Sequence, residues 1–327
     1  MLGGLGLFLY GMHMMGEGLE KAAGGKMRRL LEILTRNKYL AVLVGAAVTA
    51  VIQSSSATTV MVVGFVNAGL MELTQAVGVI MGANIGTTIT GQLIALDVGA
   101  VAPLFAFVGV AMVVFLKKPQ IHHYGNILAG LGVLFIGMEM MGSAMEPLRE
   151  WPAFVNLVST FSNPVVGILA GAAFTALIQS SSASVGILQA LALSGVIGLD
   201  SAVYVLFGQN IGTCITAVLA SIGTSRNAKR TTIIHLMFNI IGTVLFTILC
   251  ILFPLADLVA SFTPDAPAAQ IANMHTIFNI GTTLLLLPAG NLLAGMAEHL
   301  LPDKKSESLA AEQRKAACKK VEDVWNS

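Results

Sequence analysis

Long runs without any charged residue constrain this chain more than any other feature of its sequence. Of its 327 residues, 55% are hydrophobic and only 11% are charged, against about 25% charged residues in an ordinary soluble domain. About 20 apolar residues are enough to cross a bilayer as a helix. Five runs approach or exceed that length, namely 75–96, 100–116, 201–221, 231–253 and 271–297. The sequence therefore predicts an all-α polytopic membrane protein.

Charge and cysteine content exclude several other classes of protein. The formal net charge of +1 gives no basic surface for nucleic acid. The three cysteines, Cys214, Cys250 and Cys318, are too far apart to indicate a disulfide framework or a metal site. Residues 1–16 lack the positive start and cleavage pattern of a signal peptide, so we expect them to form a retained first helix.

The chain repeats itself at an offset of 126 residues. Three matched blocks keep that offset: GLGLFLYGM at 4–12 with GLGVLFIGM at 130–138, GAAVTAVIQSSSA at 45–57 with GAAFTALIQSSSA at 171–183, and GANIGTTIT at 82–90 with GQNIGTCIT at 208–216. Blocks that keep one offset indicate duplication of a structural unit.

The two repeats carry opposite charge in the same connection. Residues 20–38 hold six basic and two acidic side chains, whereas residues 146–164 hold one basic and two acidic side chains. Because positive loops stay on the cytoplasmic side, this asymmetry predicts that the repeats cross the membrane in opposite directions. The expected location is the inner cell membrane.

Segment lengths predict a re-entrant hairpin around each QSSS motif. If the basic connections lie on the cytoplasmic side, the apolar runs can alternate in direction only if 39–70 and 165–198 each cross the membrane an even number of times. Each segment is too short for two full spans of about 20 residues. We therefore expect a first inverted repeat over 1–118 with its hairpin at 39–70, and a second over 119–253 with its hairpin at 165–198. An additional transmembrane segment at 254–300 and a cytoplasmic tail at 301–327 complete the predicted organisation, in which the basic stretch 226–230 is expected to be a loop. Inverted repeats with broken helices are typical of secondary transporters.

The hairpin tips have the chemistry of an ion site. A half-helix that begins inside the membrane directs free N–H groups at the tip, which suits an anion. Six serine hydroxyls add donors there: Ser54, Ser55, Ser56, Ser180, Ser181 and Ser182. The amide oxygens of Gln53 and Gln179 suit an alkali cation. No Lys or Arg lies in the apolar runs, so an anion needs bound cations to offset its charge, and the two should bind together.

The NIGT segments supply further oxygens near the tips. Spacing of three residues places Asn84, Thr87 and Thr90 on one helical face, and Asn210, Thr213 and Thr216 on its counterpart. We expect these faces to complete the cation sites, while neighbouring glycines such as Gly82 and Gly208 allow close backbone approach or local unwinding of the helix.

Other interpretations of these residues remain open. A serine hydrolase is excluded because the chain has no G-x-S-x-G turn, but an ion channel is a serious alternative, since re-entrant loops also build selectivity filters. Glu139 lies inside an apolar run and could be functional or merely hydrated. The repeated H-x-x-F-N of His235 and His275 indicates similar helix packing more than a metal pair.

Paired QSSS and NIGT motifs over roughly residues 1–300 resemble those of the type II sodium–phosphate cotransporter family. The resemblance implies sodium-driven transport of inorganic phosphate, with no enzymatic activity, no ATP and no cofactor other than sodium as coupling ion. It also implies the inverted-repeat fold with two re-entrant hairpins. Another oxyanion remains an alternative substrate.

The resemblance also assigns roles to individual residues. It implies that the six motif serines bind phosphate. It implies sodium sites from Gln179, Ser180, Gln209, Asn210, Thr213 and Thr216 in the second repeat, and from Gln53, Asn84, Thr87 and Thr90 in the first. Cys214 replaces Thr88, and Gln209 replaces Ala83, so the two sodium environments should not be equivalent.

Overall fold

Helices account for nearly all of the residues 1–23, 37–96 and 98–303 that the computed structural model describes, and these residues include no β-strand. Much of the basic stretch 20–38 lies outside the described residues, as do Asp97 and the predicted tail from residue 304 onward. The α-helices are α1 (Leu2–Ala23), α2 (Lys38–Ile52), α3 (Ser55–Asn67), α4 (Leu73–Ile94), α5 (Ala102–Phe115), α6 (Pro119–Met145), α7 (Pro152–Ser159), α8 (Pro164–Ile178), α9 (Ser181–Leu193), α10 (Leu199–Gly212), α11 (Cys214–Ala220), α12 (Arg226–Leu252), α13 (Leu255–Ala260), α14 (Pro267–Leu286) and α15 (Gly290–Leu300).

Helix boundaries fall at equivalent positions in the two repeats. Asn37 caps α2 and Asn163, 126 residues later, caps α8 with the same pair of side-chain-to-backbone hydrogen bonds. Both α3 and α9 are followed by a glycine with positive φ, Gly69 at 73° and Gly195 at 68°. Such a backbone conformation favours glycine because it has no Cβ. The duplicated sequence therefore produces duplicated local structure.

Glycines bring the helices of each repeat into close contact. Helix α2 packs on α4, and α8 packs on α10 in the same way. A Cβ built on Gly82 would lie 2.0 Å from the Val42 carbonyl oxygen, and one on Gly208 would lie 2.0 Å from that of Ile168. These backbones approach as closely as the sequence predicted. A third close pair joins α1 to α6, where Gly11 and Gly130 face each other's backbones.

Four stretches of helix are long and apolar enough to cross a membrane, and two bent helix pairs raise that number to at most six among the described residues. The predicted runs 75–96 and 231–253 correspond to α4 and α12. The run 201–221 is divided into α10 and α11 at Thr213, and the run 100–116 is a short α5 preceded by a 3-10 turn.

Two details differ from the sequence-based expectation. The single span expected over 271–297 consists of α14 and α15, which bend by 83° at the break between them, where Pro288 prevents the helix from continuing. The basic stretch 226–230, which we expected to be a loop, is the start of α12. There Arg230 is buried and its Nη2 lies 2.9 Å from Asp303 Oδ1.

Candidate functional site

Each QSSS motif is a sharp break between two short helices. Helix α2 ends at Gln53, whose φ of 59° and ψ of 24° lie in the left-handed region. Ser54 then caps α3, its Oγ accepting a hydrogen bond of 3.1 Å from the Ala57 N–H. The second motif repeats this geometry: Gln179 has φ 60° and ψ 20°, and Ser180 caps α9. Each motif thus presents the N-terminus of a helix directly after a left-handed turn.

The two motifs meet at their central serines. Ser55 Oγ lies 3.5 Å from Ser181 Oγ, and both side chains are buried. These residues are 126 positions apart, so equivalent atoms of the two repeats face each other. One ligand between the two helix N-termini could therefore contact both hydroxyls.

The third serine of each motif contacts the other repeat. Ser182 Oγ lies 3.4 Å from Thr90 Oγ1, and its counterpart Ser56 Oγ lies 3.3 Å from Thr216 Oγ1. Thr90 Oγ1 also donates a hydrogen bond of 2.8 Å to Gln53 Oε1. The structure therefore joins both QSSS motifs and the ends of both NIGT segments into one polar cluster, which is buried at Ser55, Ser181, Ser182 and Thr90 and partly exposed elsewhere.

The remaining NIGT side chains bond mainly to their own helices. Asn84 Nδ2 donates to the Ile80 carbonyl and Asn210 Nδ2 to that of Leu206. Thr87 and Thr213 each donate to the carbonyl four residues earlier. These four side chains are buried beside the cluster. A hydroxyl that donates a hydrogen bond keeps its lone pairs, so the threonine oxygens can still bind a cation.

Gln209 is a predicted sodium ligand with a buried acceptor that has no partner. It is 1% exposed, and its Nε2 donates a 3.0 Å hydrogen bond to the Ser184 carbonyl. Its Oε1 is buried and has no hydrogen-bond partner, a costly arrangement for a carbonyl oxygen. Gln179, in contrast, is exposed and Gln53 is half-buried.

One side chain of α14 that was not predicted from the sequence to belong to the site also reaches it. His275 Nε2 lies 3.3 Å from Asn210 Oδ1. The sequence signal at His275 was the H-x-x-F-N pattern that it shares with His235, and the two copies of the pattern do form similar local contacts. Asn239 and Asn279 each donate to the carbonyl of the histidine four residues earlier.

The cluster is electrically neutral. Among the described residues, Arg230 near the start of α12 is the one charged side chain that is buried, and it pairs with Asp303. Glu139 is exposed on α6. Hydroxyls, amides and backbone groups are therefore the available ligands.

The left-handed turn yields a test that separates the backbone of Gln179 from its side chain. We expect Gln179→Val to lower the free energy of unfolding by about 1–3 kcal/mol, because β-branched residues are strained at positive φ. Gln179→Gly should leave it within about 1 kcal/mol of wild type, since glycine accepts this backbone. Thermal unfolding of the detergent-purified variants measures both. Equal destabilisation by the two substitutions would show that the turn is not left-handed. Gln53 has the same backbone conformation, but both substitutions there also remove the hydrogen bond from Thr90, so we expect both to destabilise the protein and valine to do so more than glycine.

Comparison with known proteins places this geometry in a family. The family model described as Na+/Pi-cotransporter matches residues 7–143 and 152–262. "Uncharacterized protein YqeW" of Bacillus subtilis is 34% identical over 298 residues, which cover 91% of this chain and 96% of that protein.

Two further relatives carry functional names. "Putative inorganic phosphate export protein YjbB" of Salmonella typhimurium is 27% identical over 93% of this chain, which spans 56% of that protein. "Sodium-dependent phosphate transport protein 2A" of Rattus norvegicus is 36% identical over 99 residues, covering 29% of this chain and 15% of that protein. No solved structure matches the chain. Since the family model spans most of both halves, the chain belongs to the Na+/Pi-cotransporter family.

Proposed function

We propose that this integral membrane protein is a sodium-coupled secondary transporter of inorganic phosphate, acting by alternating access in the inner cell membrane. The observation that carries the proposal is the 3.5 Å approach of Ser55 Oγ and Ser181 Oγ between two helix N-termini. Membership of the Na+/Pi-cotransporter family supports phosphate as the substrate and a transport function rather than an enzymatic one.

In this proposal the two QSSS segments are re-entrant hairpins of inverted repeats. Helices α2 and α8 have 15 residues each, and α3 and α9 have 13. At 1.5 Å per residue they are about 20–22 Å long, short of the roughly 30 Å hydrocarbon core. The matching caps and left-handed turns at a 126-residue offset further support two equivalent units, 1–118 and 119–253, followed by a segment at 254–300.

Phosphate would bind where the two motifs meet. The first N–H groups of a helix have no partner within that helix. Ser54 and Ser180 take only those of Ala57 and Ala183. The remaining N–H groups at each N-terminus, with the motif hydroxyls, form two opposed sets of donors. A tetrahedral oxyanion can present two oxygens to each set.

Sodium ions would offset the charge of the anion, since the cluster offers it no cationic side chain. The candidate ligands in the first repeat are the oxygens of Gln53, Asn84, Thr87 and Thr90, and in the second those of Gln179, Ser180, Gln209, Asn210, Thr213 and Thr216. Gln209 Oε1 is the best supported of these, because a bound cation would satisfy a buried oxygen that has no partner. Ala83 stands at the equivalent position, so the first-repeat site would lack this ligand.

The direction of net transport would depend on conditions. A secondary transporter runs down the combined gradients of its substrate and coupling ion, so one mechanism serves uptake and export. The chain spans 56% of a relative named for phosphate export, and export is one of the two directions that this mechanism allows.

Phosphate flux into proteoliposomes tests the proposal. With an inward sodium gradient, we expect uptake of radiolabelled phosphate above the equilibrium level, because sodium entry drives the anion. With equal sodium on both sides, uptake should reach equilibrium and no more, and with potassium replacing sodium it should fall to the protein-free rate. Accumulation indifferent to sodium would contradict the coupling. Rapid, non-accumulating flux in every salt would instead indicate a channel, and preferential transport of sulfate would assign a different oxyanion.

A further inference from the structure

An apolar cavity of about 460 Å³ lies behind the second QSSS motif. It is lined by side chains from α1 and from α6 to α10. Among the residues that line it are Leu5, Leu157, Phe174, Ile187 and Val205. Its size falls in the range of about 300–1,000 Å³ that is usual for small-ligand sites.

The cavity opens at an apolar surface of the protein. Leu157 on α7 and Phe174 on α8 both line it, yet they are 55% and 37% exposed. The neighbouring outer surface of α8 carries Val165, Leu169 and Leu177, all highly exposed. Exposed apolar side chains on a membrane-spanning fold face hydrocarbon. In a bilayer, this apolar surface would place lipid chains at the mouth of the cavity.

The inner wall of the cavity touches the candidate ion site. Only Ser184 and Gln209 among its lining residues are polar. Gln209 Nε2 bonds to the Ser184 carbonyl, while Gln209 Oε1 has no partner. Ser184 lies one turn after the start of α9 and bonds back to the Ser180 carbonyl through its own hydroxyl at 2.9 Å. An occupant would therefore pack directly against the residues that support the second motif.

Water is a poor occupant for such a space. An ordered water needs two to four polar partners, and this lining offers almost none. An empty cavity of this size would forfeit dispersion contacts along all of its walls. A flexible hydrocarbon chain needs no polar partners and would make dispersion contacts with the walls. The adjoining bilayer supplies such chains.

We propose that this cavity binds one hydrocarbon chain of a bilayer phospholipid, held between α7, α8 and α9 with its end near Gln209. The bound chain fixes the packing of α8 and α9 behind the motif. If the proposed sodium role of Gln209 holds, occupancy also tunes sodium binding, and that clause alone rests on the proposed function.

Photolabelling in proteoliposomes tests the site. The probe is a phosphatidylcholine with a diazirine near the end of one acyl chain, and mass spectrometry maps the labelled residues. We expect labels on cavity-lining residues of α7, α8 and α9 in the wild-type protein. Ala170 lines the cavity, so Ala170→Phe should fill it and abolish those labels. Ala173, exposed on the same helix, gives the matched control, and Ala173→Phe should keep them.

A second variant guards against misfolding of Ala170→Phe. Leu157→Trp narrows the mouth from α7 and leaves the contact between α8 and α10 untouched, and it should also remove the labels. Unchanged labelling in both cavity variants, or labels confined to the exposed outer surface of α8, would overturn the assignment. Labelling by a diazirine fatty acid but not by the phospholipid would likewise overturn it in favour of a free acid. Photolabelling requires neither phosphate nor sodium, so its failure is distinguishable from failure of the proposed transport.

Discussion

Replacing Ser55 or Ser181 with alanine is expected to weaken phosphate binding by about 1.5–3 kcal/mol, or roughly 10- to 150-fold, the contribution of one hydrogen bond to a charged group. The two hydroxyls are buried and lie 3.5 Å apart, so each should contact the same anion. The change removes a single donor and leaves the capping serines Ser54 and Ser180 in place. The phosphate concentration dependence of flux, together with equilibrium binding to purified protein, measures the effect.

Comparison of the single and double variants tests whether the site is shared. Residues that contact one ligand commonly show a coupling energy of about 0.5–3 kcal/mol, so the double variant should depart from the sum of the two single effects. Ser194→Ala is the matched control, because Ser194 is buried at the other end of α9 and bonds only to the Leu191 carbonyl. A normal affinity after Ser181→Ala, with a weakened one after Ser55→Ala, would show that only the first motif binds phosphate.

Much of the local architecture could be predicted from the repeat and from segment lengths. The breaks at Gln53 and Gln179 fall inside the segments 39–70 and 165–198, where the sequence predicted a turn at each QSSS motif. The close contacts at Gly82 and Gly208 were likewise foreseen from the glycines themselves. Both features follow from the local sequence, and predicting them requires no knowledge of how distant segments pack.

Contacts across the repeats could not be predicted in the same way. The sequence indicated that Ser182 and Thr90 belong to one site, but it contained no information on which serine meets which threonine. The pairings of Ser182 with Thr90 and of Ser56 with Thr216 depend on how the two units pack, which is a long-range property. The contact of His275 with Asn210 was missed for the same reason.

Helix breaks within apolar runs were also not predicted from the sequence. Pro288 and Gly290 mark the bend between α14 and α15, and this signal was hidden by an otherwise continuous apolar run. The break at Thr213 has no comparable signal, since the equivalent NIGT stretch in α4 is unbroken. The shared motif therefore does not by itself cause the break.

Adding a single methyl group at Gly208 is expected to destabilise the protein by more than about 3 kcal/mol, at the upper end of the cost of overpacking. The new Cβ of Gly208→Ala would lie 2.0 Å from the Ile168 carbonyl oxygen and 2.9 Å from the Ala172 backbone nitrogen. Both atoms belong to the backbone of α8, so relief requires the whole helix to shift. That shift would also move Gln179 and the start of α9. Thermal unfolding in detergent and the fraction of monodisperse protein measure the loss.

The control is a glycine in an equally regular helix but with open space around it. Gly64 lies in α3, and a Cβ there would have no atom within 4 Å. Gly64→Ala should therefore stabilise the protein by up to about 1 kcal/mol, the difference in helix propensity between the two residues. The same chemical change is thus expected to act in opposite directions at the two sites. Gly82→Ala should destabilise the protein as much as Gly208→Ala does, because its Cβ would lie 2.0 Å from the Val42 carbonyl oxygen. If Gly208→Ala instead unfolded at the same temperature as Gly64→Ala, the close packing of α8 on α10 would be wrong, and so would the placement of the second QSSS motif, which follows α8. The same result for Gly82→Ala would contradict the packing of α2 on α4 and the placement of the first motif.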